Sequence, residues 1–176
     1  MNASRPDHRL RRLAPRTGLL TLLALPVAAL AHPSRVETLD AAAWSRLQQN
    51  EKGPSAVVFS TTDCAHCPGV IAQLSGHIRA QKSHARLIVV VMDGAGPELL
   101  RHEAYQPADR LFVFDPATPP AALRHAVDPR WRGVTPYVVL MKPAAPAVAQ
   151  AGPPSAELLQ RWLGEAGGLA TGLARP

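Results

Sequence analysis

Apolar residues recur along this chain with two different periods. From Asp40 to Asn50 they fall at Ala43, Trp44 and Leu47, a helical spacing, with Asp40 placed to cap the first turn and Lys52-Gly53-Pro54 to end the helix. Ala56-Val57-Val58-Phe59-Ser60 is instead a short continuous run of β-branched and aromatic residues, which predicts a central strand buried on both faces. Pro68 to Lys82 returns to the helical period with Val70, Ile71, Leu74 and Ile78 on one side, and Leu87 to Met92 reads as a second buried strand. Pro97 to His102 predicts a helical turn or short helix, Leu111 to Phe114 a third strand stopped by Asp115-Pro116, Ala121 to Val127 a helix, and Tyr137 to Met141 another buried strand. Lys142 to Ala151, rich in Pro and Ala, predicts a hairpin into an edge strand. Ser155 then caps a last helix with Leu158, Leu159, Trp162 and Leu163 inward. The tail after Gly167 is expected to fray. Strands alternating with helical segments predict a layered α/β sheet, and nothing in the chain repeats.

The first 31 residues break this pattern. Arg9, Arg11, Arg12 and Arg16 precede an apolar run from Gly18 to Leu30, and Ala29-Leu30-Ala31 follows, the three-part build of a secretory signal cleaved before His32. The run is shorter than the roughly 18 to 20 residues that span a bilayer, so a permanent anchor is the weaker reading. Arg11-Arg12 followed by Leu13-Ala14-Pro15 fits the twin-arginine pattern poorly. The expected organisation is a signal peptide over 1–31, one domain over 32–166 and a flexible tail over 167–176, with a periplasmic location. Five of the 19 Lys and Arg residues and one of the 13 acids lie in the leader, leaving a formal charge of +2 on the remainder. With no Lys/Arg cluster and few aromatics, nucleic acid is excluded as a partner class.

Both cysteines sit in one short motif, Cys64-Ala65-His66-Cys67, where a buried strand gives way to a helix. A helix N-terminus offers unpaired backbone N–H groups and the positive end of a dipole, which favour thiolate, the attacking species in disulfide exchange. The three-residue step lets the second sulfur reach back and release a mixed disulfide. Cys64 is expected to attack and Cys67 to resolve, the pair forming a redox-active disulfide. His66 between them can stabilise a thiolate by charge or by ring N–H donation, which shifts the pair toward oxidising power. The competing readings are a structural disulfide, half of a metal site, and a chance pair in a loop. A four-ligand zinc site would need two of His32, His66, His77, His84, His102 and His125, and no helical pair supplies them. No metal is therefore expected, and His77 and His84 read as solvated residues.

The Cys-x-x-Cys at a strand-to-helix junction, with Val134-Thr135-Pro136-Tyr137 opening a late apolar strand, resembles the thioredoxin superfamily. The resemblance spans about Ser34 to Gly164 and implies a thioredoxin-like α/β fold, a central mixed sheet flanked by helices. It implies that Pro136 is cis and that Thr135 lies at the substrate groove, its backbone beside the sulfurs. The extra strand and helix before the proline strand resemble the TlpA/ResA-like branch, exported proteins that reduce disulfides, often in cytochrome c maturation. That implies protein thiols and disulfides as partners, a membrane electron donor as a further one, and no cofactor.

Some positions depart from the family pattern. Asp63 stands where thioredoxins carry tryptophan, and Val58 where they carry a buried aspartate, so the usual proton acceptor is missing. Asp63 is expected to cap the helix rather than to take the proton. Pro68 suits the first helical position, which would make Cys67 the N-cap and put the dipole at Cys67 at least as strongly as at Cys64. Trp131 and Arg132, just before the turn, either line the substrate groove or pack the loop against the sheet, with packing expected of Trp131, while Trp44 and Trp162 read as core. Three functions compete: an oxidoreductase, a carrier of a soft ion such as Cu(I) on Cys64, Cys67 and His66, and an interaction scaffold. His66 points toward an oxidant and the branch toward a reductant, with reductant the expectation.

Overall fold

The computed structural model describes residues 32–164. The expected leader (1–31) and the expected tail (167–176) lie outside the described residues. Six strands form one mixed sheet: β1 (Val36–Leu39), β2 (Ser55–Ser60), β3 (Arg86–Val91), β4 (Arg110–Phe114), β5 (Tyr137–Lys142) and β6 (Ala145–Ala151). Their spatial order is β1-β4-β3-β2-β5-β6. β2, β3, β4 and β1 run parallel, β5 runs antiparallel to β2, and β6 runs antiparallel to β5, while β4 threads between β1 and β3. The helices are α1 (Ala41–Asn50), α2 (Cys67–Ala80), α3 (Pro120–Val127) and α4 (Ala156–Gly164). This is the thioredoxin-like architecture implied by the sequence, including the extra strand before β5.

The pleat sorts the strands into two cores. Ala56 and Val58 of β2 face one way and meet Val70, Ile71 and Leu74 of α2 and Leu159 and Trp162 of α4. Val57 and Phe59 face the other way, onto Trp44 and Leu47 of α1, Leu123 of α3 and Trp131. Every residue of β2 is buried, which is why its sequence shows no alternation. Two caps act as the sequence implies. Asp40 accepts a hydrogen bond from the Ala43 N–H at the start of α1, and the Ser155 hydroxyl accepts from the Leu158 N–H at the start of α4.

β1 has no hydrophobic signature of its own and was not expected. It is a four-residue edge strand paired to β4, and it is pinned there by side chains: Glu37 accepts two hydrogen bonds of 2.8 Å from Arg110. Arg110 also lies 3.6 Å from Glu51 and over the Phe112 ring. The Arg110 guanidinium beside Glu37 holds its carboxyl below the ordinary range. The segment Pro97–Arg101 forms a 3-10 helix, with a second short one at Glu103–Tyr105.

α2 differs from expectation at its start. His66 rather than Cys67 is the N-cap, in αR geometry and without a side-chain cap bond, so Cys67 is the first helical residue and Pro68 the second. Neither Asp63 nor any other side chain caps this helix. Within α2, a Cβ added at Gly76 meets nothing within 4 Å. Gly76→Ala should therefore stabilise the protein by about 0.5–1 kcal/mol through helix propensity. Urea unfolding measures this, and an unchanged or lowered midpoint contradicts the placement of Gly76 in an open helical position.

Candidate active site

The site is assembled where β2 ends and β5 begins. β2 and β5 pair antiparallel with Phe59 opposite Tyr137, so the chain leaving β2 and the chain entering β5 emerge together. The first carries Thr61 to Cys67, and the second carries Gly133 to Pro136. Cys64 and Cys67 are joined in a disulfide with Cα atoms 5.5 Å apart. The Thr135–Pro136 peptide bond is cis, Pro136 is buried and Thr135 is half-buried. The sequence-derived residues are thus on two neighbouring loops, with His66 exposed between the cysteines.

The two sulfur-bearing residues are not equivalent. Cys67 is 0% exposed, whereas Cys64 is half-buried. The connecting turn is held by backbone bonds from the Cys64 N–H to the Thr61 carbonyl (3.2 Å) and from the Cys67 N–H to the Cys64 carbonyl (3.3 Å). Thr62 anchors the loop to the end of β3, donating from its N–H and its hydroxyl to the Asp93 carboxylate, each at 2.8 Å. The helix end offers the sulfurs less than a helix end ordinarily does. The Cys67 N–H is already used and Pro68 has none, which leaves the Gly69 N–H in the first turn before the ordinary helical bond from the Val70 N–H to the His66 carbonyl at 3.4 Å. Val58 lies on the α2 face of β2, fully buried among apolar side chains, so no acid stands beneath the motif at that position. Asp63 is exposed, and His77, expected in solvent, is half-buried with its Nε2 unpaired.

A second set of residues fixes the Gly133–Pro136 loop, and sequence reasoning missed its centre. Asp128, at the C-terminal end of α3, is a buried carboxylate that accepts a 2.6 Å hydrogen bond from the Tyr137 hydroxyl and further bonds from the Arg130 N–H and guanidinium. Trp131 stacks on the Tyr137 ring at 4.5 Å and donates from its indole N–H to the Val134 carbonyl at 2.9 Å. Both ends of the loop are therefore tied. The shared hydrogen bond moves the two partners in opposite directions: the Tyr137 hydrogen bond, then Arg130, hold the Asp128 carboxyl down to about 2. Burial, then the bond and charge of Asp128, push the Tyr137 phenol up to about 12. The partners are nine residues apart, so no local pattern announces them. Val134, next to Thr135, is 59% exposed, a large apolar side chain open at the site.

A scan against protein-family models finds no match, and a search of curated proteins finds none. Solved structures with a similar chain path include a secreted Mycobacterium tuberculosis disulfide oxidoreductase homologous to E. coli DsbE. It is 15% identical, with 65% of this chain and 83% of that one covered and a TM-score of 0.43. StoA from Bacillus subtilis is 16% identical over 64% of this chain and 84% of its own, with a TM-score of 0.43. The exposed lipoprotein thioredoxin Etrx1 from Streptococcus pneumoniae is 11% identical over 68% and 89%, with a TM-score of 0.47. What this chain's own topology and site define is a thioredoxin-like fold with a Cys-x-x-Cys disulfide at the start of α2.

The Asp128 tie has a pH signature. The folded chain keeps this carboxyl ionised to about pH 2, while the unfolded chain takes up the proton near 3.8. The unfolded state thus binds more protons in between, and the contribution to stability is present above that range and vanishes as pH falls from about 4 to 2. Asp128→Asn should cost about 1–3 kcal/mol near neutrality. Urea midpoints of wild type and variant should draw together from about pH 4 downward and meet near pH 2, and a pH-independent difference would contradict the assignment.

Proposed function

We propose that this chain is an exported thiol:disulfide oxidoreductase acting on protein disulfides, and that it works as a reductant. The observation that carries this is the asymmetric pair: a disulfide at the start of a helix with Cys64 partly open to solvent and Cys67 wholly enclosed. In the reduced protein the Cys64 thiolate attacks one sulfur of a substrate disulfide, forming a mixed disulfide and expelling the other substrate sulfur as thiolate. The Cys67 thiolate then attacks the Cys64 sulfur and releases the second substrate thiol. Two electrons pass to the substrate and the Cys64–Cys67 disulfide is left behind. Thr135 and the cis Pro136 would hold the substrate chain by its backbone beside Cys64. A thiol donor, in this reading one at the membrane, returns the pair to the dithiol.

The direction follows from how poorly the site favours thiolates. An oxidant of this kind is strong because its reduced form is stabilised. Here Pro68 lacks a donor and Cys67 is buried. His66 is exposed, so water screens what its charge contributes. The N-terminal basic and apolar segments support export to the periplasm and cleavage after Ala31. Among the described residues no helix is long and apolar enough to cross a membrane. The resemblance to the TlpA/ResA-like branch supports cytochrome c maturation as the setting.

A Cu(I) carrier is the alternative. Among the described residues no three His, Cys, Asp or Glu side chains converge as ligands, so that reading rests on the two sulfurs.

The test is a redox titration of the protein from residue 32 onward in dithiothreitol and glutathione buffers, repeated with Cys64→Ser. A reversible two-electron transition below about −250 mV that disappears in the variant is expected. A value near −120 mV would reverse the direction, and no transition at all would sink the oxidoreductase reading.

A further inference from the structure

The surface beside the Gly133–Pro136 loop carries charge that the described residues leave unmatched. α3 and the segment Pro129–Arg132 enclose a concavity of about 240 Å³ lined by Ala121, Arg124, His125, Pro129, Trp131 and Arg132. Arg124 is half-buried and laid against the loop: a Cβ built on Gly133, whose φ is +90°, would stand 3.3 Å from its Nε. Arg132 and His125 are exposed. The nearby carboxylate, Asp128, is engaged by Tyr137 and Arg130, so it neutralises Arg130 and not the other two. Among the described residues neither the Arg124 nor the Arg132 guanidinium has an ion-pair or hydrogen-bond partner. Cations in the last turn of a helix can serve its dipole, which accounts for Arg124 and His125, but Arg132 lies outside α3 and has no such reason to be there.

We propose that this concavity is a subsite for an acidic side chain of the substrate polypeptide, selecting protein thiols and disulfides with Asp or Glu near the reacting cysteine. The inference deepens the oxidoreductase reading and rests on it for the identity of the ligand. Two guanidinium groups on the rim of a small pocket suit a carboxylate, which each can bind with a planar pair of donors. The wall of the pocket, Trp131-Arg132, leads directly into Gly133-Val134-Thr135. An extended substrate chain held at Thr135 advances about 3.3 Å per residue, so a side chain two to four positions from its cysteine reaches Arg132 and Arg124. Charge at that place accelerates capture of acidic substrates and slows basic ones.

The test uses the pre-reduced protein and a set of synthetic peptides, each with one cysteine as its mixed disulfide with 2-mercaptoethanol. Members of a pair differ only by Glu or Gln at one position two to four residues to either side of the cysteine. Reaction gives peptide thiol, 2-mercaptoethanol and the Cys64–Cys67 disulfide, and the rate constant is read by stopped flow. At least one Glu peptide should react about tenfold faster than its Gln partner at low ionic strength. The ratio should fall toward one at 0.5 M salt and in Arg124→Gln/Arg132→Gln. Ratios within twofold for every pair, or a ratio that survives in the double variant, overturn the subsite. If no peptide is reduced, the oxidoreductase reading has failed separately. The same ratio is then read from affinities of Ser-for-Cys peptides, followed by the Trp131 indole N–H resonance, where equal affinities overturn the subsite as well.

Discussion

The antiparallel pairing of β5 with β2 is the constraint on which the rest of this structure depends. Because Phe59 stands opposite Tyr137, the residues following β2 and those preceding β5 must leave the sheet side by side. That one register brings Cys64 and Thr135, 71 positions apart in the chain, to neighbouring loops. A slip of one residue would exchange the faces of β5, moving Val138 and Leu140 out of one core and Val139 and Met141 out of the other. The cost of burying the wrong set on both sides makes the register, and with it the site, hard to alter.

Around that pairing the two loops are stiffened by different means. The cysteine loop is held by its own turn bonds and by Asp93 gripping Thr62. The Gly133–Pro136 loop is held by aromatic stacking of Trp131 on Tyr137 and by the Asp128–Tyr137 hydrogen bond. Phe59 joins the two systems, since its ring lies 4.9 Å from Trp131 while its backbone lies on β2. The site is therefore backed by a packed aromatic wall on the α1 side and by the α2 core on the other. What lies open between them is Cys64, His66, Val134 and the edge of Thr135.

The parts of the fold that were legible in the sequence are those whose burial is complete or whose period is long. Ala56 to Ser60 reads as a central strand because both its faces are covered, and α1, α2 and α4 show apolar stripes at Trp44, Ile71 and Trp162. β1 was illegible because Val36 to Leu39 is a half-exposed edge whose attachment comes from Arg110, far along the chain. The cysteine pair was legible by spacing and position. The start of α2 was not, because Pro68 fits the first or the second helical position equally well, and only the packed structure makes His66 the N-cap. Asp128 was hidden for a related reason. An acid before proline at the end of a helix looks like a stop signal, and its bond to Tyr137 exists only once the loop has folded.

The division of labour proposed for the sulfurs rests on burial, and it is the central claim. Pro68 and the burial of Cys67 deprive the pair of help in stabilising thiolate, so in the proposed reaction access decides more than electrostatics, and Cys64 is the sulfur with access. Trapping measures this most directly. Reduced Cys67→Ser and Cys64→Ser variants are mixed with a disulfide-bonded model protein, and mixed disulfides are counted on non-reducing gels and located by mass spectrometry. Stable adducts through Cys64 in the first variant, and almost none through Cys67 in the second, are the expected result. Equal capture by both variants, or capture by Cys67 alone, would contradict the account.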